Sequence, residues 1–170
     1  MKIIFLVLFG LSTISFQWSN VLLISYDEFD QTSNKGWRPL ALKGDYWGAF
    51  KMIKFYIENK AGLAIEEKIV LNFHTGQMLA LNNQNSHAIH YLKKAYKKED
   101  FLVNRQWNCY LNGTIAFLRK DQHALERYKN KLIKISSLES YVPNLPCLKS
   151  FLKNFTKPYL EAYSGISENN

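Results

Sequence analysis

The sequence predicts an all-α protein: antiparallel helix hairpins stacked as a short right-handed solenoid, closed by a C-terminal capping helix. Three observations lead there. Apolar residues recur at helical spacing along most of the 170 residues, and only Val21–Ser25 reads as a short strand. The links Asn82-Asn83-Gln84-Asn85 and Arg119-Lys120 are so short that the helices they join must run antiparallel. The hairpins also recur, with 39 residues from Ala49 to Ala88 and 36 from Ala88 to Ala124. Helix-hairpin solenoids repeat at roughly 34 residues or at about 40–47. A composition of 47% hydrophobic, 15% aromatic and 21% charged residues is that of a folded domain, and the length suits a single one. A large multidomain enzyme and a polytopic membrane protein are excluded.

Residues 1–17 read as a secretory signal peptide. Lys2 precedes the uncharged run Ile3–Phe16, and small residues place cleavage after Ser15 or after Gln17. The rival reading is an uncleaved anchor, because residues 3–25 carry no charge and 23 residues can span a bilayer. The polar Gln17-Trp18-Ser19-Asn20 interruption favours cleavage. Either way the folded part is expected outside the cytoplasm, periplasmic or secreted, with membrane contact only if the segment stays. Residues 18–35 form an N-terminal extension in which Asp27-Glu28-Phe29-Asp30 reads as a solvated turn, lacking the glycine and terminal glutamate of a calcium loop.

The helical domain is expected over 36–164. Trp37-Arg38-Pro39-Leu40 must supply its first helix, with Pro39 in the first turn. A second helix carries Ala49, Ile53, Tyr56 and Ile57 at i, i+4, i+7, i+8; a third carries Ile69, Phe73, Gly76 and Ala80. The fourth presents Ala88, Leu92, Ala95 and Tyr96, the fifth Trp107, Leu111, Ile115 and Leu118, the sixth Leu125, Tyr128 and Leu132. Each stripe buries one face and leaves lysines on the other. Asp45, Ser86 and Asp121 are placed to cap helix starts, and Gly76 and Ala88 to let one hairpin close tightly. Leu148, Phe151, Leu152 and Phe155 form a last helix that Lys157-Pro158 breaks, and its basic face would cap the stack. Residues 165–170 are a flexible tail.

Formal charge is +8, or +7 without residues 1–17, and it is spread over the polar faces of helices rather than gathered for nucleic acid. No phosphate loop, nucleophile elbow or paired-cysteine metal motif occurs in the sequence, so neither an enzyme, a cofactor nor a metal site is expected. His87, His90 and His123 read as solvent-side residues. Cys109 and Cys147 could form one disulfide or remain thiols, and the sequence leaves both open.

One polar-aromatic set stands out. His74 and Gln77 share a face of the third helix, and Trp107, Asn108 and Tyr110 occupy the corresponding helix of the next hairpin. Adjacent first helices line the concave surface of a solenoid, and these side chains suit a peptide or protein partner. The competing reading is that they satisfy one another and tie helix to helix. Tyr159 and Tyr163 are expected to pack against the array. The expected role is an exported binding scaffold; the alternative is an envelope-associated structural protein without a ligand groove.

Four stretches carry a resemblance. They are Trp37-Arg38-Pro39-Leu40 with Gly44-Asp45-Tyr46; His74-Thr75-Gly76-Gln77; Trp107-Asn108-Cys109-Tyr110 running into Thr114-Ile115-Ala116-Phe117-Leu118 and Asp121; and Pro158-Tyr159-Leu160-Glu161-Ala162-Tyr163. Together the chain resembles small bacterial proteins with a degenerate tetratricopeptide-like repeat fold. Gly113 departs from that pattern, where alanine is expected, and residues 21–25 have no counterpart in it. The resemblance implies the helical array and no reaction.

Overall fold

Short links and helical periodicity produce helices only. The computed structural model describes residues 18–98, 101–137 and 142–165, and among these there is no strand. The signal-peptide reading of residues 1–17 lies outside them, as does the tail beyond Gly165. The helices are α1 (Arg38–Leu42), α2 (Tyr46–Asn59), α3 (Ile65–Leu81), α4 (Asn85–Lys94), α5 (Leu102–Leu118), α6 (Gln122–Ile135), α7 (Leu145–Lys153) and α8 (Tyr159–Ser164). No described helix is long and apolar enough to cross a membrane. The chain divides into two compact units, residues 1–67 and 68–170, with the division inside α3.

In the first unit the segment read as a strand, Val21–Ser25, instead leaves the end of a 3-10 turn, Ser19–Leu22, and pairs with no strand among the described residues. The acidic run is also not a solvated turn. Residues Asp27–Gln31 wind into a single π-helical turn that buries Phe29 and Asp30 completely. The cause is the set of partners waiting for each. The Phe29 ring stacks on Tyr56 of α2, 3.7 Å between centroids and 4° from parallel. The Asp30 carboxylate accepts from the Trp37 indole N–H at 3.0 Å, from the Gln31 amide at 2.5 Å and from the Tyr26 hydroxyl at 3.4 Å. Arg38 donates to the Asp30 carbonyl. Buried carboxylates persist only when donors satisfy them in this way. Gly36 makes the approach possible: its φ is +55°, and a Cβ there would lie 2.0 Å from the Phe29 carbonyl oxygen. The Tyr56 hydroxyl and the Lys60 ammonium then donate to the Ile24 carbonyl. Residues 18–35 are thus built into the same unit as α1 and α2.

Three helix–helix turns close alike. After α1, Gly44 (φ +79°) is followed by a bond from the Asp45 N–H to the Leu40 carbonyl; after α3, Asn83 (φ +58°) by one from Gln84 to Leu79; after α5, Lys120 (φ +58°) by one from Asp121 to Ala116. Each is a left-handed helix stop with a six-residue closing bond. The next helix then starts from the same place, the carbonyls of Asp45, Gln84 and Asp121 accepting from Ala49, Ala88 and Leu125. Asp45 and Asp121 cap as expected, accepting from the Gly48 and Ala124 amides at 2.8 and 2.9 Å. Ser86 does not cap: α4 begins two residues earlier than a cap there would allow, with Gln84 at its N-cap and no side-chain bond there.

In the second unit the apolar stripes face inward as read, with Ala88, Leu92, Leu111, Leu125 and Leu132 almost wholly buried. A Cβ on Gly76 would lie 2.7 Å from Leu92 Cγ and 3.0 Å from the Ala88 carbonyl, so α3 and α4 touch where the side chain is missing. Gly113 does the same for α7, its absent Cβ being 2.6 Å from Leu148 Cδ2. The terminal helix splits at Pro158 into α7 and α8, joined by a bond from the Ser150 hydroxyl to the Ala162 carbonyl and by packing of Phe151 on Tyr159. His87, His90 and His123 are exposed.

Candidate functional site

All five residues singled out in the sequence lie in the second unit, and the structure sorts them into three environments. Helix α5 rises from Leu102 with a 3.6-residue period, so Trp107 and Asn108 point toward the end of α4 while Tyr110 turns toward α7 and α8.

The first environment is the link after α4. The Asn108 side chain is 4% exposed and reads both faces of one backbone unit: its oxygen accepts from the Lys97 N–H at 3.0 Å and its amide donates to the Lys97 carbonyl at 2.8 Å. The Trp107 indole N–H donates to the Ala95 carbonyl at 2.8 Å. One turn further along, Asn112 accepts from the Tyr96 hydroxyl at 2.7 Å. These groups satisfy a stretch that has left the helix and has no ladder of its own. Trp107 keeps its ring face: Lys97 Nζ sits 5.3 Å from the ring centroid, within cation–π range.

The second environment is aromatic. Phe73 on α3 packs edge-on to Trp107 at 4.8 Å and near Tyr110 at 5.9 Å, and half-buried His74 lies beside Phe73 at 5.4 Å. Phe73 is therefore the side chain that Trp107 and Tyr110 share with its chain neighbour His74. The sequence reading treated Phe73 as core, which it also is at 8% exposed.

The third environment is a buried group of hydroxyls that sequence spacing did not assemble. Tyr110 and Tyr159 are enclosed, and burial pushes both phenols well above their usual range, reinforced at each by Cys147 and Tyr163 nearby and at Tyr110 also by Tyr159. Burial likewise raises Tyr163 and the Cys147 thiol. Hydrogen bonding from Gln77 opposes the rise at Tyr159 and Tyr163, which places the Gln77 amide among these hydroxyls rather than beside a solvent groove. Both cysteines are free thiols. A thiol held protonated by its surroundings is a weak nucleophile and a weak metal ligand. The cluster is suited to holding α3, α5, α7 and α8 in register through neutral hydrogen bonds. Tyr159 packs against the array as read, against Phe117 and Phe151.

So the structure brings Trp107 and Tyr110 to Phe73, the chain neighbour of His74, and sends Gln77 and Asn108 to separate partners. Compared with family models, curated proteins and solved structures, the chain gives no match.

Proposed function

We propose that this chain is an exported, non-enzymatic helical-repeat scaffold that holds a peptide or protein partner. In this reading the hairpins α1–α2, α3–α4 and α5–α6 form a short right-handed tetratricopeptide-like solenoid, like the small bacterial proteins it resembles, with α7 and α8 as its cap. The observation that carries the proposal is the threefold turn: Gly44, Asn83 and Lys120 each stop a helix in the left-handed conformation, 39 and 37 residues apart, and each is followed by the same closing bond and the same first-turn acceptor. Repetition at that period is the signature of arrays whose units cannot bury their apolar faces alone. Contact of Phe73 on α3 with Trp107 on α5 further supports neighbouring first helices, the elements that line the binding surface of such arrays.

In this reading His74 and the Trp107 ring, with Lys97 over its face, meet the partner, and Tyr110, Gln77 and Asn108 support them. Panning a random peptide library on the full chain tests this. Selected peptides are expected to lose about tenfold in affinity on His74→Ala or Trp107→Phe, roughly one lost interfacial contact. Undiminished binding by both variants, with unchanged helical circular dichroism, would remove the site.

A further inference from the structure

Three consecutive apolar side chains stand in water at the start of α5. Phe101 is 68% exposed, Leu102 40% and Val103 65%. Isolated exposed apolar residues are ordinary, but a contiguous group marks a contact surface. Its shape limits what can cover it. Phe101 is the extended N-cap and Leu102 and Val103 are the first helical residues, about 100° apart, so the three fan around the end of α5 rather than share one side. A rigid protein surface meets one side of a helix. A fluid interface receives an end from all directions.

The surroundings are cationic. Lys93 and Lys94 end α4 and are exposed, Lys98 and Arg105 are exposed, and Lys97 is half-buried over Trp107. The Asn104 side chain donates to the Lys98 carbonyl at 2.8 Å, which fixes that lysine's backbone beside the first turn of α5. By sequence, residues 93–105 carry five cations and two carboxylates, a balance of +3 within a chain of +8. Exposed apolar groups ringed by lysine and arginine are the pattern of segments that dip into the headgroup region of an anionic bilayer.

We propose that the N-terminal turn of α5, Phe101–Val103, with the exposed Lys93, Lys94, Lys98 and Arg105, is a docking surface for an anionic lipid bilayer. It lies apart from His74 and needs no part of the partner-binding proposal to hold.

The test uses the full chain carrying Phe101→Trp and vesicles of phosphatidylglycerol and phosphatidylcholine in equal parts, with and without bromine-labelled acyl chains. The added tryptophan emission is expected to shift to the blue and to be quenched by the brominated lipid. High salt, or Lys93→Glu, Lys94→Glu and Lys98→Glu together, is expected to lower this signal at least about tenfold. The signal is the difference between the Phe101→Trp chain and the unsubstituted chain, whose four tryptophans include Trp18 beside the apolar N-terminal segment, so attachment through that segment cancels. Water-like, unquenched emission in the presence of vesicles overturns the proposal, whether or not the chain sediments with them. So does equal quenching by phosphatidylcholine alone, and so does a blue shift without vesicles that grows with protein concentration, which would assign the surface to a second copy of the chain.

Discussion

The two units solve the same problem, holding short helices against one another, by opposite means. The first sets one 14-residue helix, α2, among short elements: α1 is five residues long and the turn Asp27–Gln31 is π-helical. It is fastened by a buried charge, the Asp30 carboxylate, gathered by an indole, an amide and a phenol. The second unit has 17-residue α5 against 14-residue α6, brings helices together where glycines omit a side chain, and buries only neutral hydroxyls and amides at its polar centre. Short helices expose many backbone ends and bury little area, so a directional anchor decides their arrangement; long helices supply enough apolar contact for shape to decide it.

The largest effect should fall on the charged anchor. Asp30→Ala takes the carboxylate from the buried Trp37 N–H and undoes the bonds gathered on it, and is expected to cost about 3 kcal/mol. Hydrogen exchange should show α1 and α2 losing protection. Equal loss throughout α5 and α6 would break the contrast, because the anchor would then not be local to its unit.

Next come the glycines. Gly76→Ala presses a methyl against the Ala88 carbonyl and Leu92 Cγ, whereas Gly113→Ala meets only the mobile end of Leu148. Backbone cannot retreat as a side chain can. The expected losses are about 2 kcal/mol and below about 1 kcal/mol, after the roughly 1 kcal/mol that alanine returns in helix propensity. Denaturant midpoints in the reverse order would show that shape does not govern the second unit.

Much of this was legible in advance, and the failures have a common cause. Stripes such as Ala49, Ile53 and Tyr56, the caps at Asp45 and Asp121, and the close approach at Gly76 are properties of a few neighbouring residues. The burial of Asp30 is not: nothing in Asp27-Glu28-Phe29-Asp30 distinguishes one carboxylate from the others until Trp37 and Tyr56 are in place. At the candidate site, His74, Trp107 and Tyr110 could be read as companions because the repeat aligns their helices. Gln77 could not be assigned to Tyr159 and Tyr163, since α8 lies far along the chain and no periodicity relates it to α3.

The neutral centre of the second unit predicts its own pH response. Tyr110 and Tyr159 ionise well above 10 when folded and near 10 when unfolded. A phenol whose folded pKa is raised contributes stability fully present below pH 10 and lost as pH climbs from there toward the folded value. Stability should therefore hold through neutral pH and fall above about pH 10, with tyrosinate absorbance appearing together with loss of helix. Tyr110→Phe is expected to cost about 1 kcal/mol at pH 7 and to soften the alkaline fall. The first unit shares the direction, since burial and Asp30 push Tyr26 up to about 12.

The smallest expected effect bears on the turn that all three hairpins repeat. Gly44 meets a left-handed conformation at no steric cost, Asn83 at little, and Lys120 at more. Lys120 is held there by its side chain: Nζ donates to the Phe155 and Lys157 carbonyls, each at 2.9 Å, and lies 4.5 Å from the Phe117 ring centroid. Part of that ammonium's hydration is lost, which lowers its pKa. Two substitutions separate the backbone from the side chain. Lys120→Met keeps the strain and removes both bonds, an expected loss of about 1 kcal/mol. Lys120→Gly removes the bonds and the strain together, so its expected net change is within about 0.5 kcal/mol of zero. Equilibrium unfolding of the pair reads the difference directly. If glycine is no better than methionine, the left-handed stop carries no strain at Lys120, and the three turns owe their likeness to hydrogen bonding alone.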